Sequence, residues 1–209
     1  MLTPLMLHYK SQVSNLMATS QANPTSPRIK PLSPPYSAEM QSSFDTIMPS
    51  GMAPLGIFRT VGHNPRVLQR MVNGGLLDKG SISVSERELI ILRTCSLCGA
   101  EYEWGVHVAS FAGKAGFNPE QIADTAAATS NLNLWSPQQQ LLITLSEQLH
   151  HTNRVEDALW DKLQSYYQAE QLIELVMVAG LYHAVSFVVN ACQVAPEAFA
   201  PSFPHTNQL

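Results

Sequence analysis

Between residues 87 and 107 the sequence gathers most of its reactive side chains: Arg87-Glu88, the pair Cys95-Ser-Leu-Cys98, and Glu101-Tyr-Glu103-Trp-Gly-Val-His107. Glu103 and His107 are four apart, so on a helix they share a face. A carboxylate beside an imidazole orients the ring and raises its pKa, which makes the two a candidate acid–base unit. The same spacing also describes an ordinary exposed pair of little energetic weight. It could supply two metal ligands as well, but no third residue nearby extends the pattern, and neither a metal nor a cofactor is expected. Glu88 is a second candidate carboxylate, with a competing structural role as partner of Ser85 in a helix capping box. Tyr102 and Trp104 are candidate pocket walls.

Cys95-x-x-Cys98 invites a redox reading. Thiolates are favoured at helix N-termini, where the backbone dipole is positive. These two cysteines instead fall near the C-terminal end of the helix begun by Ser85, so two small core cysteines are the competing reading. Cys192, in an apolar stretch, reads as core. His150-His151 ends a helix, where an imidazole suits the negative dipole end. His63, just before the Asn64 cap, reads as local. His183 lies inside the apolar final stretch and must find a partner or stay neutral.

The elements that have to position these residues read as helices throughout. Ser37–Ile47 places Met40, Phe44 and Ile47 at helical spacing. Asn64-Pro65, Asn118-Pro119 and Ser136-Pro137 each set a capping side chain before a proline at the first helical position. Leu89–Leu97 forms an apolar helix that Gly99 ends, and Ala100–Ala115 a second one that Gly116 closes. Val155–Tyr167 gives another. From Leu172 to Cys192 the only charged residue is Glu174. The length suits a bilayer, but Gly180, His183, Ser186 and Asn190 interrupt it, and a central helix with one face on the domain and another on a second subunit is the expectation. No stretch alternates with period two, so the fold class is all-α. Residues 1–35 read as a Pro/Ser-rich tail, with a short amphipathic turn over Leu5–Met17, and residues 36–209 as one domain.

Charged residues make up 13% of the 209, against 45% hydrophobic, which is few for a monomer with its whole surface in water; a homo-oligomer is expected. The net charge of −4 carries no basic run, so neither nucleic acid nor an anionic membrane is an expected partner. Three cysteines and a poor match to a signal peptide favour a cytoplasmic setting.

Arg87-Glu88-Leu-Ile-Ile-Leu-Arg93, Gly99-Ala-Glu-Tyr-Glu-Trp104 and His107 together resemble the core of the carboxymuconolactone decarboxylase-like (AhpD-like) family. Phe58-Arg59, His63-Asn64-Pro65, Glu174-Leu-Val, Tyr182 and Asn190 resemble its flanks, so the likeness runs from about Tyr36 to Pro196. The resemblance implies an all-α, AhpD-like helical bundle assembling as trimers or hexamers. It places the family glutamate on Glu88 and the family histidine on His107. The two cysteines of the family's peroxidases fall on Ala100 and Glu103, and the sequence's own pair is displaced by five residues, about 140° on a continuous helix. Three functions stay open. The first is acid–base chemistry on a small carboxylated or lactone-type substrate, with His107 moving the proton, Glu103 orienting it and Glu88 near the cleft. The second is a peroxiredoxin-type thiol antioxidant using Cys95 and Cys98 with a Glu88/His107 relay. The third is a non-catalytic oligomeric binding protein.

Overall fold

A computed structural model describes residues 26–204. The expected turn over Leu5–Met17 lies outside them. Among the described residues there is no strand. The helices are α1 (Ala38–Ile47), α2 (Gly56–Val61), α3 (Pro65–Asn73), α4 (Val84–Leu97), α5 (Glu101–His107), α6 (Pro119–Thr125), α7 (Pro137–Thr152), α8 (Asp157–Gln164) and α9 (Ala169–Cys192). After α5 the chain continues without a break through a π-helical turn, Val108–Ala112, to Ala115.

Side-chain caps place most of these starts. Ser37, Asn64, Asn118 and Ser136 each accept an N–H of the first turn, and a proline follows three of them. The start of α4 differs from expectation. Ser83, not Ser85, is the cap, and it closes a capping box with Glu86. The sequence Ser83-Val-Ser-Glu-Arg-Glu88 contains the Ser-x-x-Glu pattern in two overlapping registers, and only the first leaves Glu88 pointing into the protein.

Helix α4 is the hub. Residues Arg87 to Cys95 are all buried, and α4 packs most extensively against α7 and α9, then against α5. Its Arg93 is buried too, ion-paired to Glu147 of α7 and donating to the Thr125 and Ala127 carbonyls at and just past the end of α6. Helix α9 buries Leu172, Leu175, Val178, Ala179, Tyr182, Val185, Ser186 and Val189. Its other face, with Ile173, Met177 and Phe187, is exposed, so α4 rather than α9 is the helix enclosed on all sides.

Both flanks of the helical unit are tied down. Arg28 N–H donates to the Cys192 carbonyl and Leu32 N–H to the Arg59 carbonyl, so ordered packing begins before Tyr36. After α9 the chain returns across α5. Glu197 accepts from Gly56 N–H and the Tyr102 hydroxyl, Phe203 N–H donates to Glu101, and the Phe203 ring tilts against Trp104. A Cβ on Gly105 would stand 2.3 Å from the Pro201 carbonyl oxygen, so only glycine permits this close crossing.

Candidate active site

Glu88, Glu103, His107 and Tyr182 meet in the interior, contributed by α4, α5, α5 and α9. His107 Nδ1 lies 2.7 Å from Glu88 Oε2, and its Nε2 lies 3.0 Å from the Tyr182 hydroxyl and 3.6 Å from Glu103 Oε1. Glu88 has no exposed surface, and its other oxygen accepts from Arg87 Nε at 3.0 Å. The Arg87 guanidinium continues to the Leu77 carbonyl. A buried charge survives only when paired and hydrogen-bonded, and this chain of partners meets that condition for Glu88.

Burial works against a charge on His107, but hydrogen bonds and attraction from Glu103 and Glu88 outweigh it and raise its pKa from 6.5 to about 9. At neutral pH the ring is therefore an imidazolium that donates from both nitrogens. Burial, then the Glu103 and Glu88 charges, hold the Tyr182 phenol well above its ordinary range, so it stays protonated. With its oxygen accepting from His107, the Tyr182 O–H is free to donate elsewhere. Glu103 Oε2 is buried and has no hydrogen-bond partner.

Glu103 and Tyr182 share a recess of about 40 Å³ walled by Phe58, Met71, Leu77 and Val185. That is room for little more than water or one substituent. Ile47, Phe58 and Leu77 also line an adjoining, mostly apolar groove of about 360 Å³ that includes Val106, Phe111 and Lys114. The Phe111 ring lies 5.2 Å from the His107 ring, with the Arg87 and Lys114 cations 5.7 and 5.4 Å from its centroid. Phe111 falls in the π-helical turn, a distortion common at functional sites. A wider cleft of about 480 Å³ between Tyr36, Arg59 and Glu197 touches none of the titratable cluster.

The expected residues thus divide. Glu88, Glu103 and His107 converge, but with exchanged roles: Glu88 grips the ring from behind, and Glu103 lines the recess. Glu88 does not cap α4. Tyr102 and Trp104 line neither the recess nor the groove. Tyr102 is held by Glu197 and Ile57 N–H, and Trp104 Nε1 donates to Thr125 Oγ1. Cys95 is buried in the last turn of α4, and Cys98 is its half-buried C-cap. Burial raises both thiols, with Glu103 adding to the effect at Cys95. Ala100 and Glu103 instead occupy the N-cap and first turn of α5, where an anion is favoured. Tyr182 and Arg87 were not among the expected site residues. Tyr182 lies 75 residues from His107 in sequence, and no local pattern connects them.

Residues 65–145 match the carboxymuconolactone decarboxylase family. Among curated proteins, none matches this chain by sequence. The fold is similar to that of an uncharacterized peroxidase-related protein from Silicibacter sp. TM1040, with TM-score 0.70 and 19% identity over 89% of this chain and 99% of that one. It is also similar to the AhpD core of an uncharacterized peroxidase-related protein from Ralstonia eutropha JMP134, with TM-score 0.67 and 14% identity over 81% and 93%. The debrominase Bmp8, in complex with 2,3,4-tribromopyrrole, has TM-score 0.63 and 18% identity over 82% and 92%. At such identities the likeness establishes an AhpD-like fold.

Proposed function

We propose, from the premise that this chain is a member of the carboxymuconolactone decarboxylase-like (AhpD-like) family, that it is an enzyme moving protons on a small, largely apolar carboxylated or lactone-type molecule. One observation carries the reading. The hydrogen-bonded chain Glu88–His107–Tyr182 runs behind a recess lined by Tyr182 and by Glu103, whose Oε2 has no hydrogen-bond partner.

In this reading the substrate body lies in the apolar groove, with Lys114 as the cation for a carboxylate. Loss of CO₂ leaves the bonding electron pair on carbon as an enolate. The Tyr182 O–H protonates that carbon, and His107 Nε2–H replaces the proton on the phenol. Glu88 holds the ring in place throughout; after the transfer the ring is neutral, and Glu103 takes a proton from solvent and returns it to His107 Nε2, which restores the imidazolium. For a lactone, the same Glu103 carboxylate can take a proton α to the carbonyl.

A thiol peroxidase using Cys95 and Cys98 is the second reading, favoured by the peroxidase-related proteins of similar fold. Against it stands the burial that holds both thiols protonated.

The test is a screen of lactones, β-keto acids and peroxides, followed by His107→Ala, Tyr182→Phe and Glu103→Gln. Turnover on a carboxylated substrate in deuterated water should place deuterium at the carbon that loses CO₂, and His107→Ala should abolish it. Peroxide turnover that disappears in both Cys95→Ser and Cys98→Ser but survives His107→Ala would overturn the proposal.

A further inference from the structure

We propose that Cys98, His150 and His183 form a binding site for one borderline or soft metal ion, zinc first among them, apart from the proton-transfer site. The three residues come from the end of α4, the end of α7 and the middle of α9, and one potential ligand atom of each lies within 4.8 Å of the other two. Cys98 Sγ is 3.7 Å from His150 Nδ1, which is 3.1 Å from His183 Nε2. Tetrahedral zinc with ordinary Zn–S and Zn–N bonds needs ligand-to-ligand separations of about 3.3–3.6 Å. Two of the three separations thus stand near their bonded values already, and the third, Cys98 to His183, lies within 4.8 Å.

The surroundings also fit. His183 Nδ1 donates to the Ala179 carbonyl at 2.8 Å, which fixes the tautomer and leaves the Nε2 lone pair facing His150. Such a backbone carbonyl behind a histidine is the usual outer-shell partner of a metal ligand. Asn190 Nδ2 donates to the Cys98 carbonyl at 2.8 Å and pins that corner. All three ligands are half-buried, so an ion can enter from solvent. On binding, the Cys98 thiol releases its proton to water as the metal–sulfur bond forms. One thiolate and two imidazoles select zinc or copper(I) over the hard cations, with a fourth position left for water.

Full-length, reduced, chelator-treated protein titrated with cobalt(II) should develop a thiolate-to-cobalt charge-transfer band that saturates at one equivalent. Zinc should displace the cobalt. Cys98→Ser should abolish the band, and His150→Gln and His183→Gln should each weaken zinc binding beyond the roughly 10–100-fold typical of outer-shell changes. His151→Gln should leave binding intact. If a variant does not fold, alkylation of the wild type mapped by mass spectrometry gives an independent readout, because zinc should protect Cys98 selectively. Absence of the band in the wild type, a band that survives Cys98→Ser, or unchanged Cys98 alkylation with zinc would each refute the site.

Discussion

Replacing Glu88 by Gln removes the carboxylate nearest to His107 while keeping its shape, so it isolates one of the two charges, with Glu103, that hold the ring protonated. In the wild type the ring titrates at about 9 against an ordinary 6.5. The folded-state value is the higher one, so the stabilisation is complete below pH 6.5 and disappears as pH rises through 9. With each pKa unit worth roughly 1 kcal/mol or a little more, the full contribution is on the order of 3 kcal/mol, and most of it should be lost between pH 7 and 10. With Glu88 neutral, Glu103 alone opposes the burial cost, and the loss over that range should fall to about half or less. Urea unfolding at pH 7, 8, 9 and 10 measures the slope in both proteins. Taking the difference between them cancels the titrations of groups remote from Glu88, though not those of Cys95 and Tyr182, which Glu88 also shifts. Nitrogen NMR of the His107 ring reads the same equilibrium directly. A wild-type ring that titrates near 6.5, or equal slopes in the two proteins, would falsify this electrostatic account and with it the charged proton donor.

Three further outcomes follow from the packing. Ser83→Ala should cost about 1 kcal/mol in chemical denaturation, while Ser85→Ala should cost a few tenths at most. Cys95→Ser and Cys98→Ser should retain turnover on carboxylated substrates, and thiol titration at pH 7 should find Cys95 unreactive until the protein is denatured. Ile173, Met177 and Phe187, the last 65% exposed, lie along one side of α9 and are expected to pack against another copy of the chain. Light scattering should therefore give a mass of more than one chain, reduced by Phe187→Glu; a wild-type monomer at micromolar concentration would contradict this.

What could be read in the sequence was largely what is decided locally. Asn64-Pro65, Asn118-Pro119 and Ser136-Pro137 satisfy first-turn N–H groups with their own side chains, so their helices begin where the pattern indicates. Where two local solutions compete, the pattern cannot choose. Ser83 and Ser85 are equally good caps in isolation, and the choice is made by Arg87 and His107, which need Glu88 inside. The Glu103–His107 pairing was visible as a helical spacing, but whether it lay in water or in the core depended on α4 and α9 closing over it. The Tyr182–His107 and His150–His183 contacts were beyond reach for the same reason. Each joins residues 33 or more positions apart, and only the packing of whole helices brings them together.

The crossing of Gly105 by residue 201 has a consequence for the order of biosynthesis. Helix α5 carries both Glu103 and His107, yet it is only seven residues long and has no side-chain cap at its start. Even with its unbroken continuation to Ala115, a helical run of this length is marginal by itself in water. Much of what fixes it comes from Glu197 on Tyr102, Phe203 N–H on Glu101 and the Phe203 ring on Trp104. A ribosome adding about 5–20 residues per second needs several seconds between residues 107 and 203. During that interval α4 and α7 can already pair, while the imidazole still lacks both its phenol partner and the segment that seats its helix. The nascent chain should therefore acquire its core before its chemistry, and a truncation ending near residue 195 should yield a helical protein with a loosened α5.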